Sequence, residues 1–348
     1  HGTAAPRSRP VRLGLAGGGW LLDPMLKACS TLDSGSLASV SFYHEDRAIL
    51  TSVSEKHNID SVFTDFEVFA ESVDAVEILD AGSERDALAM ALLAQGRHVS
   101  LQKPFARDLD HADALMRAAK EGGAFLRVND YSLFYEPYRR LKKLLREREI
   151  GEVCALRVRS NLAGAGGCGP LPEFLGSDRF FSHPAFDKYA LAIYLLGGIE
   201  SVCCYANVMR ARKGGQIVVG CKFRAPGCYG VFEHTYAPRT RIRASGLPVD
   251  DTIEVAGTDG IIWVNHFHGK LTEEPWIEVR RGKRHYTLGI GSGMPLDWEH
   301  SLRASLAQFI SGVSRAAQPG LSAAHARKAL SVQCAARRAA LENTEILL

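Results

Sequence analysis

Between residues 11 and 128 short apolar runs alternate with amphipathic ones, and that rhythm limits the possible folds more than any other property of the chain. Residues 11–16, 37–42, 74–79, 98–102 and 125–128 read as strands. Helical patterns over 21–32 and 46–57 fall between them, followed by one opening with the capping box Ser83-Glu84-Arg85-Asp86 and one running from Asp110 to Gly122. Strands that alternate with helices at this pace build a parallel, doubly wound sheet. The first domain is therefore expected over residues 11–130.

From Tyr131 the rhythm changes. An amphipathic helix over 137–148 precedes long strand-like runs at 153–161, 201–208, 216–223, 230–236, 252–256, 261–265 and 276–280. Thr258-Asp259-Gly260 is a hairpin turn between two of them. One helix interrupts the block over 184–196, and two more follow at 298–312 and 322–342. Residues 131–348 are thus expected to form an α+β domain on a mostly antiparallel sheet, with Trp263 and Trp276 in its core. A chain of 348 residues suits two domains.

Composition narrows the class of function. Net charge is +3, too weak to argue for nucleic acid. No apolar run reaches the ~20 residues that span a bilayer, so no membrane partner is expected. Residues 1–10 are polar and read as a loose arm rather than a secretory leader. The eight cysteines are scattered, without metal-ligand spacing, which predicts reduced thiols, no metal and a cytoplasmic protein.

Two strand ends carry chemistry. Gly17-x-Gly19 closes the first strand, where glycines let backbone amides approach a pyrophosphate at a helix start. A glycine-rich turn without nucleotide is the plain alternative. Lys103 follows the strand at 98–102, and Pro104, lacking an N–H, ends the ladder there. A lysine at that rim can polarise an oxygen or shuttle a proton, or it simply marks a strand end in solvent. The third fingerprint position is Leu22, and Ser41-Phe42-Tyr43-His44 replaces the acidic residue that usually closes the second strand.

In order and spacing these segments resemble the Gfo/Idh/MocA family of NAD(P)-dependent oxidoreductases over nearly the whole chain. Residues 11–20 look like its strand and nucleotide loop, and Gln102-Lys103-Pro104 like its Glu-Lys-Pro motif. Val128-Asn129-Asp130-Tyr131, with Pro137 and Ile150-Gly151-Glu152-Val153, is similar to its interdomain hinge. Leu195-Leu196-Gly197 and Glu254-Val255-x-Gly257-Thr258-x-Gly260 look like its sheet domain. The chain departs from the pattern at Gln102, and at Asp80-Ala81-Gly82…Arg85, where the family has Thr-Pro-Asn…His. The family's Asp-x-x-x-His becomes His183-Pro184-Ala185-Phe186-Asp187, with the two residue types exchanged.

The resemblance implies a Rossmann domain binding NAD or NADP and a second domain for a small polyhydroxy substrate: a sugar, cyclitol or glycoside. The expected reaction is hydride transfer at a secondary hydroxyl or ketone. Cofactor contacts are expected at Gly17, Gly19, Trp20, Leu21, Ser41, Phe42, Asp80, Ala81, Gln102 and Lys103. Asp187, or His183 assisted by Asp187, would take the hydroxyl proton while Lys103 bonds the developing alkoxide. The plainer alternative is that His183 serves as an N-cap and Asp187 answers the helix dipole. Candidate substrate contacts are Tyr131, Arg157, Arg179, Lys188, His234 and Tyr236, each of which suits plain surface or core as well. Two rival outcomes are a lyase or hydrolase using tightly bound NAD and a non-catalytic ligand-sensing protein. The apolar runs at 203–208 and 216–221 predict a homodimer or homotetramer through the open sheet face.

Overall fold

The computed structural model describes residues 9–33, 35–59, 61–80, 83–162, 186–209, 214–236, 249–265, 275–289, 298–317 and 321–348. Residues 9–131 with 299–327 form one compact unit, and 132–298 with 328–348 the other, within those limits.

The first unit begins with β1 (Val11–Ala16), α1 (Leu22–Ser30), β2 (Leu37–Tyr43), α2 (Arg47–His57), β3 (Val62–Phe63) and α3 (Phe66–Ser72). It continues with β4 (Ala75–Ile78), α4 (Ser83–Ala94), β5 (His98–Gln102), α5 (Leu109–Glu121) and β6 (Leu126–Asn129). The strands lie in the order β3-β2-β1-β4-β5-β6, every pair parallel. The order reverses between β1 and β4, which puts the ligand crevice of such a sheet at their carboxyl ends. Asp46, Asp65 and Asp108 cap α2, α3 and α5, each carboxylate accepting a first-turn N–H. β3 and α3 are additions to the sequence reading; a two-residue strand carries no period to detect.

Across the middle of this sheet runs a fully buried ion pair. Arg127 on β6 donates to Glu77 on β4 at 2.7 Å and to Ser100 on β5 at 2.9 Å. It also donates to the carbonyl and hydroxyl of Ser305 at 2.8 and 3.1 Å, and its guanidinium lies 4.7 Å from the Phe309 ring centroid. Ser305 and Phe309 belong to α8 (Trp298–Ser314). The sequence reading assigned that helix to the second domain; its buried contacts with β6 place residues 299–314 in the first unit.

The second unit holds a short 3-10 turn (Tyr131–Phe134), α6 (Glu136–Arg146), β7 (Val153–Leu162), α7 (Phe186–Leu196), β8 (Ile199–Met209), β9 (Gly214–Phe223) and β10 (Tyr229–Tyr236). Then come β11 (Val249–Gly257), β12 (Gly260–Asn265), β13 (Ile277–Arg281), β14 (Arg284–Leu288), the part of α9 (Ala323–Glu342) from residue 328 on, and β15 (Ile346–Leu347). The sheet runs β14-β13-β12-β11-β7-β10-β9-β8-β15, antiparallel except for β7 beside β10. Register fixes its two faces. One cross-strand row is Val231, Arg157, Glu254 and Trp263; the row on the other face is Ile217, His234, Ser160 and Asp251. Trp263 is therefore not a core residue. It donates to Glu254 at 2.8 Å on the open face, beneath Arg280. Trp276, expected in the core as well, is half-buried and packs edge-on against Tyr135.

Candidate active site

In the first unit, β1 runs into Gly17 and Gly19 at φ 86° and 79°, left-handed values that glycine adopts without a Cβ penalty. Successive amides in such a turn form a concave nest for an anion. α1 follows, and Leu21 at its N-cap makes no side-chain capping bond, so the helix start is free of a local acceptor from that residue. An anion already rests on this loop: Gly18 N–H donates to both carboxylate oxygens of Asp80, at 3.1 and 3.0 Å. A nest, an uncapped helix start and a bound carboxylate together fit the phosphates of a dinucleotide.

Other expected cofactor contacts fall differently. Trp20 is 65% exposed at the rim, whereas Leu21, Ser41 and Phe42 are buried. β2 extends to Tyr43, so Ser41 and Phe42 lie inside the sheet and the strand's true end is Tyr43-His44-Glu45. Arg47, at the start of α2, is exposed. Ala81 lies outside the described residues.

β5 delivers Lys103. Its Nζ lies 4.0 Å from the Asp130 carboxylate and 4.7 Å from the centroid of the Tyr131 ring. The carboxylate and the π face both attract the ammonium and orient it. The turn beneath it is pinned by Arg85, which the sequence marked only as a departure. Arg85 is buried and donates to the carbonyls of Gln102, Pro104 and Phe105 at 2.9, 2.7 and 3.1 Å, with Asp86 balancing its charge at 2.6 Å. Three carbonyls on one planar fork fix the backbone on both sides of Lys103. Gln102 is buried too, and its Oε1 has no hydrogen-bond partner among the described residues.

In the second unit Asp187 occupies the first turn of α7 and is half-buried. Next to it Lys188 is buried, 2.7 Å from Asp251 on β11, which also accepts from Ser160 on β7. His234 on β10 lies in the same row, buried, and neither ring nitrogen has a partner among the described residues. Burial, reinforced by the nearby Lys188 cation against the pull of Asp251, pushes its pKa down to about 4, so the imidazole is neutral at pH 7. Tyr236 is buried on that face of β10. Lys188, His234 and Tyr236 thus share one face, while Arg157, ion-paired with Glu254, lies on the other. His183 and Arg179 fall outside the described residues. Ser160 and Asp251 escaped the sequence reading, because only strand register reveals that they flank one another. Among the described residues no group of His, Cys, Asp and Glu could hold a metal ion, and no helix is long and apolar enough to cross a membrane.

Comparison with known proteins agrees with this fold. The nearly complete chain superposes on an oxidoreductase from Agrobacterium radiobacter in complex with NAD+, L-tartaric acid and magnesium, with a TM-score of 0.81 at 18% identity, covering 97% of this chain and 98% of that one. It superposes also on levoglucosan dehydrogenase in complex with NADH and levoglucosan, TM-score 0.80 at 16% identity, covering 97% and 99%. At such identities the likeness is one of fold. A curated relative, the scyllo-inositol 2-dehydrogenase (NADP(+)) of Bacillus subtilis, is 28% identical over 145 residues, 41% of this chain and 43% of that protein. The chain spans less than half the length of the curated relatives it matches. Residues 11–130 match the family described as oxidoreductases with an NAD-binding Rossmann fold. Over these residues the chain is similar to the Gfo/Idh/MocA oxidoreductase family.

Proposed function

We propose that the protein transfers hydride between NAD or NADP and a secondary hydroxyl or ketone of a polyhydroxy compound: a sugar, cyclitol or glycoside. The observation that carries this reading is Lys103, held at the carboxyl end of β5 by the Arg85 fork and aimed by Asp130 and Tyr131. The scyllo-inositol and levoglucosan named for its relatives support this chemical class. When bound, the oxidised nicotinamide supplies the hydride acceptor. Lys103 donates a hydrogen bond to the substrate oxygen as negative charge grows there. Asp187 accepts the hydroxyl proton, alone or with His183. Lys188, His234 and Tyr236 offer the ligand hydroxyls a cation, a neutral imidazole and a phenol. Residues 11–130 serve as the dinucleotide domain, and the sheet within 131–348 as the substrate domain. A reducing cytoplasm suits the eight scattered cysteines.

A panel of polyols and sugars incubated with NAD and with NADP tests this reading by absorbance of the reduced nicotinamide. Dinucleotide that copurifies with the protein while no substrate produces net reduction would favour the lyase or hydrolase alternative. Failure to bind either dinucleotide would favour ligand sensing.

The open face of the second sheet carries Tyr205 on β8 and Tyr229 and Val231 on β10, 73%, 57% and 36% exposed on the two strands that flank β9. Apolar area of this kind on a sheet face is suited to a second copy of the chain, so a homodimer or homotetramer is expected. Light scattering should give a multiple of the single-chain mass, and Tyr205→Glu with Tyr229→Glu should lower it. A monomer at micromolar concentration would contradict this assembly.

A further inference from the structure

We infer that Asp80 is an internal anion that occupies the phosphate seat of the glycine loop and sets how tightly a dinucleotide binds. The inference rests on the dinucleotide reading above and concerns this chain's own residue at that seat. Asp80 follows β4 at the rim where the strand order reverses, and both its oxygens accept from the single N–H of Gly18. The carboxylate sits directly on the loop: a Cβ added to Gly17 would lie 2.1 Å from Oδ2, and one added to Gly19 3.8 Å from Oδ1. Asp80 is exposed, and among the described residues no lysine, arginine or histidine pairs with it. Among the described residues its charge is met by backbone amide alone.

A pyrophosphate and this carboxylate require the same donor, so binding of one displaces the other. Displacement does not remove the charge. Asp80 remains anchored to the end of β4, and two anions a few ångströms apart repel even near a protein surface. Asparagine preserves side-chain volume and an oxygen acceptor for Gly18 N–H, yet carries no charge. Alanine removes both acceptor and charge and leaves the cradle open. The side chain thereby works as a competitor built into the site, weakening affinity for any dinucleotide regardless of its 2′-substituent.

Calorimetric titration of NADH and NADPH into wild type, Asp80→Asn and Asp80→Ala at low and high salt tests this. Both variants should bind both dinucleotides about tenfold more tightly than wild type at low salt, with the gain shrinking at high salt as repulsion is screened. Binding detected only in the variants would support the inference even more strongly. Equal affinity in all three proteins, or weaker binding in the variants, would overturn it while leaving the dinucleotide reading intact. If none of the three bound either dinucleotide, the dinucleotide reading would fall and this inference with it.

Discussion

Replacing Lys103 by methionine should slow turnover roughly a hundredfold, the equivalent of about 3 kcal/mol of transition-state stabilisation. Methionine keeps most of the stem volume, so the Arg85 fork should still hold the turn, and dinucleotide affinity should stay within a few-fold of wild type. The loss should appear in kcat and in kcat/KM alike, because the bond to the alkoxide strengthens only as charge develops. Lys103→Arg should recover little of it, since a planar guanidinium cannot occupy the space between Asp130 and the Tyr131 ring as a compact ammonium does. A folded, dinucleotide-binding Lys103→Met protein with turnover within about twofold of wild type would make the lysine an ordinary strand end.

The second large effect concerns stability. Arg127→Met should destabilise the first unit by about 3–5 kcal/mol, because Glu77 would then be a buried carboxylate without its cation. Burial already drives the Glu77 pKa upward and that of Arg127 downward, each charge being tolerable only beside the other. Removing Glu77 as well, in Glu77→Leu with Arg127→Met, should recover much of the loss, since a matched apolar pair has no charge to desolvate. Denaturant unfolding of the three proteins measures both quantities. A single variant within about 1 kcal/mol of wild type would mean that Ser100, Asn129 and Ser305 satisfy Glu77 and its neighbours without the arginine.

These two side chains also show where sequence reasoning succeeds and where it stops. Lys103 was legible because its place at a strand end is set locally, by a strand of five residues, a proline that ends the ladder and a glycine that ends the preceding helix, whereas the Arg85 fork and the Asp130 and Tyr131 partners that orient it were not. The alternation that yields the β2-β1-β4-β5-β6 part of the sheet is local in the same sense, each of those strands and the helices between them announcing itself by its own period, apart from β3 and α3. Arg127 was not legible. Its partners come from β4, β5 and α8, up to 178 positions away, and nothing in Leu126-Arg127-Val128-Asn129 distinguishes a buried cation from a solvated one. The same long reach explains why α8 was assigned to the wrong side of the boundary at residue 130.

The second sheet repeats the lesson on a smaller scale. Its alternation announced strands, but which face each residue occupies depends on register against neighbours not yet known. Hence Arg157 and His234 were grouped as contacts for one ligand although they lie on opposite faces, and Trp263 was placed in a core it does not enter. Asp80 illustrates a different limit. As a departure from a family pattern it was visible, but its carboxylate's seat on Gly18 N–H arises from two loops 62 residues apart.

The most direct test of hydride transfer uses a substrate deuterated at its secondary carbinol carbon, identified from the polyol panel, with mass spectrometry of both products. The account predicts deuterium on the nicotinamide ring of the reduced dinucleotide, one per turnover, with a ketone formed in equal amount. Deuterium lost to water, or retained in a product made without net reduction of the dinucleotide, would contradict it.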